Sequence, residues 1–583
     1  MTTIVASYII MPNDATPKER LWMSESDNIT RWTHNPSIYI YEGDYNNQDD
    51  IVKSLTDSLS RILVHYYPLA GRLSWIRGGR LELECNAKGA LFLEAESTKT
   101  LAEYGDFSPN EPINELIPIL DYTQPLEEIP LLAVQLTKFQ GGREGLAIGT
   151  SISHPLADGY AAISFFNSWA KLCRGESLDP HEISPFLDRT ILQSPNPRSS
   201  PLFDHPEFKL PPLILGKSDS IDEKSKETTV ALLRLTSEQV QKLKKRANNE
   251  SLEKGFRPYS RYEVIVAHIW RSMSKARKHD DHQEGVVRIL VDIRKRIDPP
   301  LPSNYFGNAV FPTVTPKCFT REIITNPINY AAHMIREAIA RITNEYIRSQ
   351  LDFLSGQEKS IRLVPNVNNT HSNNAPFYGN PNCYPVSWMS MPVYGLDFGW
   401  GKPVYFGPGS VGPDGKIYIF PSSQGDGSIV ILICLQTAHL QLFNKKKTRS
   451  TPNNYFGNAV FPTVTPKCHT REIISNPVNY ATYMIREGID RLTNEYTRSQ
   501  LNFIWGKEKI DSLRHVRNVN DERSKNAPFY RNPNIHAVSW MSMPVYGADF
   551  GWGKPVYFGP GSIAFDGKIY GIQASKGMAL SLY

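Results

Sequence analysis

The sequence predicts an α/β protein with mixed sheets, in which two complete domains precede a partial copy of the second. Three observations support this prediction. A chain of 583 residues is too long for one compact core. Stretches with strand and helix periodicity follow one another without strict alternation, which indicates mixed rather than all-parallel sheets. A long segment near the C-terminal end also occurs twice.

The duplicated segment opens with NYFGNAVFPTVTPKC, at 304–318 and again at 454–468, and both copies continue through WMSMPVYG and DFGWGKPVYFGPGS. The second copy has no counterpart of RYEVIVAHIWR or VVRILVDIRKR, and it stops where the first copy continues into the closing strand SIVILICLQ. Missing elements would leave sheet edges unpaired and apolar faces uncovered. We therefore expect 453–583 to be the product of a gene fusion or gene-model error rather than a working third domain.

Residues 1–200 are expected to form the N-terminal domain. Apolar residues at helical spacing predict a helix that begins near Ile51 and ends before Pro68. Strands are predicted in RLSWI, RLELEC and ALFLEA, and two more flank a Gly-Gly turn in LLAVQLTKFQGGREGLAIGTSIS. The run YAAISFFNSWAKLC, which follows Gly159, has helical periodicity again.

Residues 201–228, in a stretch rich in Pro, Asp and Ser, are expected to be a crossover, and 229–444 a C-terminal domain. The second domain contains strand VALLRL, helices EQVQKLKKRANN and RYEVIVAHIWRSMSKAR, strand VVRILVDI, the first repeat copy and SIVILICLQ. Residues 445–452 include three consecutive lysines and are expected to be a linker before the partial duplicate, 453–583.

The composition is that of an ordinary globular protein, with 40% hydrophobic and 21% charged residues and a net charge of +5. No basic tract is dense enough to follow a nucleic-acid backbone. The N-terminus does not resemble a secretory signal, and no stretch has the roughly 18 apolar residues of a membrane span. Six scattered cysteines show no metal-type spacing. We expect a cytoplasmic monomer without metal, membrane or nucleic-acid partners.

The most informative motif is SISHPLADGYAAISFFNSWA, at 151–170. His154 follows a predicted strand, Asp158 stands four residues later, and Gly159 opens a helix. Transfer of an acyl group to a hydroxyl or amine needs a base close to the acceptor's proton, and imidazole suits this role. Asp158 could orient that base, or it could brace the tight turn that Pro155 and Gly159 predict.

HPLADG resembles a signature of the plant BAHD acyl-CoA-dependent acyltransferases, and so do DFGWG at 397–401, YPLAGRL at 67–73 and NYFGN at 304–308. The resemblance covers residues 3–444. It implies a two-domain chloramphenicol-acetyltransferase-like fold with a channel where the domains meet. It also implies that acyl-CoA is a co-substrate, that no cofactor is permanently bound, and that His154 is the general base.

The resemblance implies roles for four more residues. Asp158 should point away from the channel and pair with an arginine, and Asp397 should be a structural salt-bridge partner, for which Arg294 is the candidate cation. Trp388 matches a tryptophan whose indole N–H is proposed to face the tetrahedral oxyanion. No Gly-x-Ser-x-Gly elbow or nucleophilic cysteine motif adjoins His154, so we expect direct transfer without an acyl-enzyme.

The acceptor is predicted from charge and resemblance. Shikimate- and quinate-acylating relatives carry Arg-Gly-Ala-His-Thr ahead of the tryptophan, whereas 371–375 reads HSNNA, with Asn373 in place of the arginine. ILVHYYPLAGRLSW, FDHPEF and APFYGNP resemble spermidine hydroxycinnamoyl transferases. We therefore expect hydroxycinnamoyl transfer to an amine of a polyamine such as spermidine. The alternatives are O-transfer to shikimate, quinate or another alcohol, and an inactive fusion product that acts only as a binding protein.

Overall fold

The computed structural model describes most of the first 445 residues and a few segments beyond them. The described ranges are 2–45, 51–77, 79–109, 111–140, 143–193, 200–218, 221–249, 257–355, 378–445, 464–476, 478–491, 536–539, 568–574 and 577–582. The chain separates into two compact units, Met1–Lys447 and Thr448–Tyr583. None of the described helices is both long and apolar enough to cross a lipid bilayer.

In the first unit, helices and strands follow one another irregularly, and this confirms the mixed α/β class. The helices are α1 (Glu25–Asn28), α2 (Ile51–His65), α3 (Glu111–Asn114), α4 (Gly159–Cys173), α5 (Pro180–Ile183), α6 (Ile221–Ser225), α7 (Ser237–Asn249), α8 (Arg261–Arg277), α9 (Thr320–Thr325), α10 (Ile328–Ala340), α11 (Asn344–Ser355) and α12 (Thr437–Lys445). The strands are β1 (Thr2–Ile10), β2 (Arg20–Trp22), β3 (His34–Glu42), β4 (Arg72–Ile76), β5 (Arg80–Glu84), β6 (Ala90–Ser97), β7 (Leu132–Phe139), β8 (Gly145–Ser153), β9 (Thr228–Leu235), β10 (Glu284–Gly285), β11 (Arg288–Asp292), β12 (Val310–Val314), β13 (Cys318–Phe319), β14 (Tyr384–Ser387), β15 (Tyr405–Pro408), β16 (Lys416–Pro421) and β17 (Ile429–Gln436).

A six-stranded sheet in the order β1-β6-β7-β8-β3-β15 forms the N-terminal half, and only β6 and β7 pair in parallel. One core contains residues of this sheet together with α2 and α4. The predicted apolar face of α2 is buried there, with Leu55, Leu59 and Ile62 fully inaccessible. Each such side chain contributes roughly 1.5–3 kcal/mol. The amphipathic pattern of α2 therefore decides which side of the helix meets the sheet.

The last strand of this sheet comes from the other half of the chain. β15 lies within the predicted C-terminal domain, 229–444, yet Tyr405 and Pro408 pair antiparallel with Ile40 and Ser37 of β3. Only four residues long and set among Gly and Pro, β15 carries no periodic pattern from which this pairing could be predicted. The two predicted domains are therefore joined by a shared sheet.

A second sheet in the order β14-β16-β17-β9 forms the C-terminal half, with β14 and β16 parallel and the other pairs antiparallel. Ile417 and Ile419 of β16 belong to the core that includes α8 and α10. Because side chains alternate along a strand, Lys416 and Tyr418 lie on the opposite face. That face contributes to the central cavity of this unit.

The described part of the second unit comprises α13 (Thr470–Ser475), α14 (Val478–Asp490), β18 (His536–Ser539), β19 (Lys568–Ala574) and β20 (Gly577–Leu582). Its helix α14 repeats α10, but the apolar face is solvated. Val478 and Ile485 are 84% and 55% exposed, whereas the equivalent Ile328 and Ile335 are 3% and 0% exposed. In the first unit α10 packs against α8 and β11, and the duplicate has no sequence equivalent of either.

One expectation about the duplicate is wrong. We expected it to lack a closing strand, but β20 pairs antiparallel with β19, just as β17 pairs with β16. The hydrogen bonds between paired strands are made by main-chain groups, so GMALSL can form the pairing strand although it does not resemble SIVILICLQ. The second DFGWG, at 549–553, lies outside the described residues.

We predict that a chain ending at Lys447 unfolds at the same temperature as the first unit does in the full-length chain, because both cores lie within that unit. A chain ending at Gln436 is the control. It lacks α12, whose Leu440 and Phe443 are only 6% and 9% exposed. Its free energy of unfolding should therefore be lower by several kcal/mol, since each buried side chain of this size contributes roughly 1.5–3 kcal/mol. Calorimetry of both chains checks this. Equal destabilisation of the two truncations would contradict it.

Candidate active site

His154 stands in the turn between a buried strand and a long helix. β8 ends at Ser153, and α4 begins at Gly159. Asp158 is the N-cap of α4, where its Oδ1 accepts a hydrogen bond of 3.0 Å from the Ala161 N–H. A carboxylate at this position satisfies a free N–H and complements the helix dipole. The sequence HPLADG thus produces the strand–turn–helix that was predicted.

Asp158 also forms a buried bidentate ion pair with Arg294. The Arg294 Nη1 and Nη2 donors lie 2.9 and 3.0 Å from the two carboxylate oxygens, and Ala309 N–H donates a third bond of 2.9 Å. Both charged side chains are at least 93% buried. Both carboxylate oxygens of Asp158 therefore accept hydrogen bonds, from the first turn of α4, Arg294 and Ala309. This arrangement matches the second of the two alternatives given above, in which Asp158 braces the turn.

The predicted pairing of Asp397 with Arg294 is wrong. The Asp397 Oδ1 instead accepts the N–H groups of Gly399 and Gly401, at 2.8 and 2.9 Å, within the DFGWG turn. Both glycines have positive φ, 105° and 91°, which suits a residue without Cβ. Arg174 donates to the Asp397 main-chain carbonyl. In the described chain Arg294 donates instead to Asp158, Asp292 and the Gly307 carbonyl.

Asn308, the last residue of NYFGN, holds the turn from the other side. Its Nδ2 donates to the His154 carbonyl at 2.8 Å and to Asp27 Oδ1 at 2.9 Å. Asp27 in turn forms a buried ion pair of 3.2 Å with Arg189. The His154 N–H donates to the Thr33 carbonyl at 3.1 Å. The main chain of His154 is therefore fixed at both its N–H and its C=O.

The His154 ring borders a cavity of about 1750 Å³. Trp388, Tyr418 and Phe406 also line it, and it extends along β11 to the N-terminal end of α8. Eight described cations line the cavity and four described carboxylates do. The cations are Arg31, Lys224, Arg261, Arg288, Arg294, Lys295, Arg296 and Lys416, and the carboxylates are Asp158, Glu207, Asp292 and Asp414. The cavity is large enough for two substrates and is positively charged.

The pKa of His154 is lowered to about 4, mainly by burial and also by the charges of Arg31 and Lys416, while its own main chain and Asp158 act in the opposite direction. The ring is therefore neutral at physiological pH. Its Nδ1 is buried and makes no hydrogen bond to another residue in the described part of the chain. Nε2 is left as the nitrogen that can meet a molecule in the cavity.

Trp388 lies beside the N-terminus of α4. Its Nε1 is 3.1 Å from the point that a Cβ on Gly159 would occupy, so this position accommodates only glycine without displacing the indole. The ring packs against Phe406 and Tyr418, with centroids 5.3 and 5.0 Å away. The indole is thus held next to the turn that carries His154.

The sequence reasoning missed several residues of this site. NYFGN was noted as a signature, and its Asn308 could have been examined as a turn-holding side chain. Lys416 and Arg31 were not predicted, because neither lies in a recognised motif and the acceptor prediction depended on the segment 371–375. The segment HSNNA at 371–375, on which the acceptor prediction depended, lies outside the described residues.

Solved structures share this fold over most of the chain. Vinorine synthase matches with a TM-score of 0.56 and 21% identity, covering 76% of this chain and 96% of that one. TRI101 of F. sporotrichioides, complexed with coenzyme A and T-2, matches with a TM-score of 0.60 and 18% identity, covering 73% and 97%. At these identities the likeness establishes the two-domain fold.

Curated relatives are more similar in sequence. The hydroxycinnamoyl-CoA:piscidic acid hydroxycinnamoyltransferase of Actaea racemosa is 41% identical over 449 residues, 76% of this chain and 99% of that protein. The shikimate O-hydroxycinnamoyltransferase of Nicotiana tabacum is 38% identical, covering 75% and 97%. A 5-hydroxyanthranilate N-hydroxycinnamoyltransferase of Avena sativa, HHT1, is 34% identical, covering 76% and 98%.

We predict that Asp158→Ala costs roughly 3–5 kcal/mol of unfolding free energy, because it removes the bidentate partner of the buried Arg294 and leaves only the single contact with the exposed Asp292. Asp397→Ala is the matched control. It removes two hydrogen bonds to exposed backbone N–H groups that water can replace, at about 1 kcal/mol. Denaturant unfolding of both variants at neutral pH measures the difference. Equal losses would show that the ion pair does not hold the turn.

The model of the Transferase family matches residues 1–450 and again 445–580, so both copies of the repeat fall within matched regions. This match and the relatives confirm the resemblance to BAHD enzymes that HPLADG and DFGWG indicated. Acyl-CoA is the co-substrate of such enzymes. The chain belongs to the Transferase family and is an acyl-CoA-dependent acyltransferase.

Proposed function

We propose that this enzyme transfers a hydroxycinnamoyl group from its CoA thioester to a hydroxyl or amine of a small acceptor, with His154 as general base. The observation that carries this proposal is the position of the His154 ring, which is fixed by its main chain at the wall of a 1750 Å³ cavity. The hydroxycinnamoyl-CoA donors named for the relatives support the choice of acyl group.

The reaction follows from the neutral imidazole. Nε2 accepts the acceptor's proton while the acceptor's oxygen or nitrogen attacks the thioester carbonyl carbon. A tetrahedral intermediate forms, its carbon–sulfur bond breaks, and the departing CoA thiolate takes the proton from the imidazolium. Proton, acyl group and charge balance without a covalent acyl-enzyme. A base that is neutral at working pH can take up the proton at once, so the low pKa of His154 keeps it available.

The oxyanion of that intermediate needs a donor close to His154. The Trp388 Nε1–H lies above Gly159, the first residue of α4, and no hydrogen bond from this group to another described residue is present. We assign the developing negative charge to this N–H, with the positive end of the helix dipole behind it.

The lining charges bear on the acceptor. All four described carboxylates of the cavity accept hydrogen bonds from the protein: Asp158 and Asp292 from Arg294, Asp414 from Arg277, and Glu207 from Tyr346. A polyamine in this cavity would be repelled by the excess positive charge, and each described carboxylate that lines the cavity already accepts a hydrogen bond from the protein. The spermidine acceptor expected from the sequence stays a prediction, and this charge balance favours the alternative, an acceptor that carries a carboxylate.

We predict that His154→Ala lowers kcat by roughly two to four orders of magnitude, the usual effect of removing a positioned base. The assay is release of free CoA from p-coumaroyl-CoA in the presence of acceptor. Because the pKa of His154 is held at about 4, wild-type kcat/KM should not show an acid limb near the ordinary histidine pKa.

His333→Ala is the matched control, since His333 is an exposed residue of α10 and should keep wild-type kcat. Trp388→Phe is a companion variant. It keeps the ring packing but removes the N–H, so kcat should fall about tenfold or more while the KM values stay unchanged. Wild-type turnover by His154→Ala, with an unchanged unfolding temperature, would exclude His154 as the base.

A further inference from the structure

Three cations line the same cavity as His154: Arg31, Arg288 and Lys416. We call these three residues the cation cluster. None forms an ion pair with a carboxylate in the part of the chain that the structure describes. Charged groups that a fold leaves in a cavity without a partner are costly unless a ligand completes them. The cluster is therefore a candidate anion site.

The position of Lys416 is set by the second sheet. β14 and β16 pair in parallel with Tyr384 opposite Lys416, so the lysine lies across the tyrosine ring. Its Nζ is 3.7 Å from the centroid of the Tyr384 ring and 5.2 Å from that of Tyr418. Stacking of this kind holds an ammonium group in place without neutralising it. Lys416 thus keeps its charge and its donors for another molecule.

The other two cations reinforce that charge. The Arg288 guanidinium carbon lies 5.0 Å from the Tyr384 and Tyr378 ring centroids, and Arg31 is solvent-exposed at the same cavity. The pKa of Lys416 is lowered to about 8, mainly by burial and also by the charges of Arg31 and Arg288, while Tyr384 acts in the opposite direction. The combined field is positive enough that the pKa of Tyr384 falls despite its burial.

We propose that the cation cluster, with Lys416 at its centre, binds a carboxylate of the acyl acceptor and determines acceptor specificity. This inference rests on the proposed acyl transfer. The phosphates of CoA lie at the far end of the pantetheine arm from the thioester. Lys416 lies at the other end, because its Nζ is 5.2 Å from the Tyr418 ring, which packs at 5.0 Å against Trp388 beside the turn that carries His154. The anion that the cluster binds therefore belongs to the acceptor.

A bound carboxylate would also act on the base. Arg31 and Lys416 lower the pKa of His154, so an anion placed between them offsets that effect and makes the imidazole a stronger proton acceptor. An acid acceptor would then be favoured twice, first in binding and again in the chemical step. A methyl ester of the same acceptor would gain neither advantage.

The experiment uses the full chain with p-coumaroyl-CoA and three acids, shikimate, piscidic acid and 5-hydroxyanthranilate, each beside its methyl ester, and spermidine. For the best acid, Lys416→Gln should raise the acceptor KM about 10- to 100-fold, as loss of a charged hydrogen bond predicts. The KM for p-coumaroyl-CoA and the KM for the methyl ester should change little. Lys416→Arg should keep most of the acid activity.

The pH dependence supplies a second readout. Lys416 is charged below its pKa of about 8, so the acid acceptor's KM should rise as pH increases through and above that value. The groups that face Lys416 are the cations Arg31 and Arg288, the phenols of Tyr384 and Tyr418, and His154. Burial raises the pKa of Tyr384, but Lys416 and the two arginines lower it below its ordinary value, so its ionisation would weaken anion binding in the same direction. In Lys416→Arg the rise should be smaller, because the guanidinium does not titrate there and only Tyr384 remains to gain negative charge.

The outcomes separate the two proposals. Transfer to an acid acceptor with an unchanged KM in Lys416→Gln would overturn the cation cluster but leave acyl transfer intact. Efficient turnover of spermidine and of none of the acids would also overturn it. A larger KM for p-coumaroyl-CoA in Lys416→Gln would reassign the cluster to the CoA phosphates. If wild type transferred the acyl group to none of these acceptors, the proposed function itself would fail.

Discussion

The buried ion pair between Arg294 and Asp158 joins the two halves of the enzyme at the turn that carries His154. Arg294 follows β11 in the C-terminal half, while Asp158 caps α4 in the N-terminal half. Replacing such a pair by apolar residues can be neutral, but removing one partner leaves a buried charge and is costly. The pair therefore fixes the position of the turn, and with it the main chain of His154.

The arginines and lysines that line the cavity differ in whether they form an ion pair with a carboxylate. Arg294 is neutralised by Asp158 and serves the fold, whereas Arg31, Arg288 and Lys416 have no such partner in the described chain and remain available to substrates. The same positive field lowers the pKa of His154. The base strength of His154 therefore depends on the charge of the acceptor, because a carboxylate of the bound acceptor would raise the pKa of the histidine that deprotonates it.

The motif-bearing parts of the fold and site were predictable, and the parts made by distant pairing were not. Helical periodicity predicted α2 and α4, and HPLADG predicted the turn between β8 and α4, although not that Asp158 would cap the helix. Nothing local predicts that β15 joins the first sheet, or that Arg294 meets Asp158 rather than Asp397. Lys416 also escaped prediction, because only the pairing of β14 with β16 places it beside Tyr384 in the cavity that His154 borders.

The central claim is that His154 acts as a base in direct transfer, with both substrates in one cavity. Initial rates over a grid of p-coumaroyl-CoA and acceptor concentrations, together with the intact mass of the enzyme during turnover, test it most directly. Double-reciprocal lines that intersect, with no added acyl mass on the protein, are the predicted result. Parallel lines with a hydroxycinnamoyl adduct on the enzyme would contradict it.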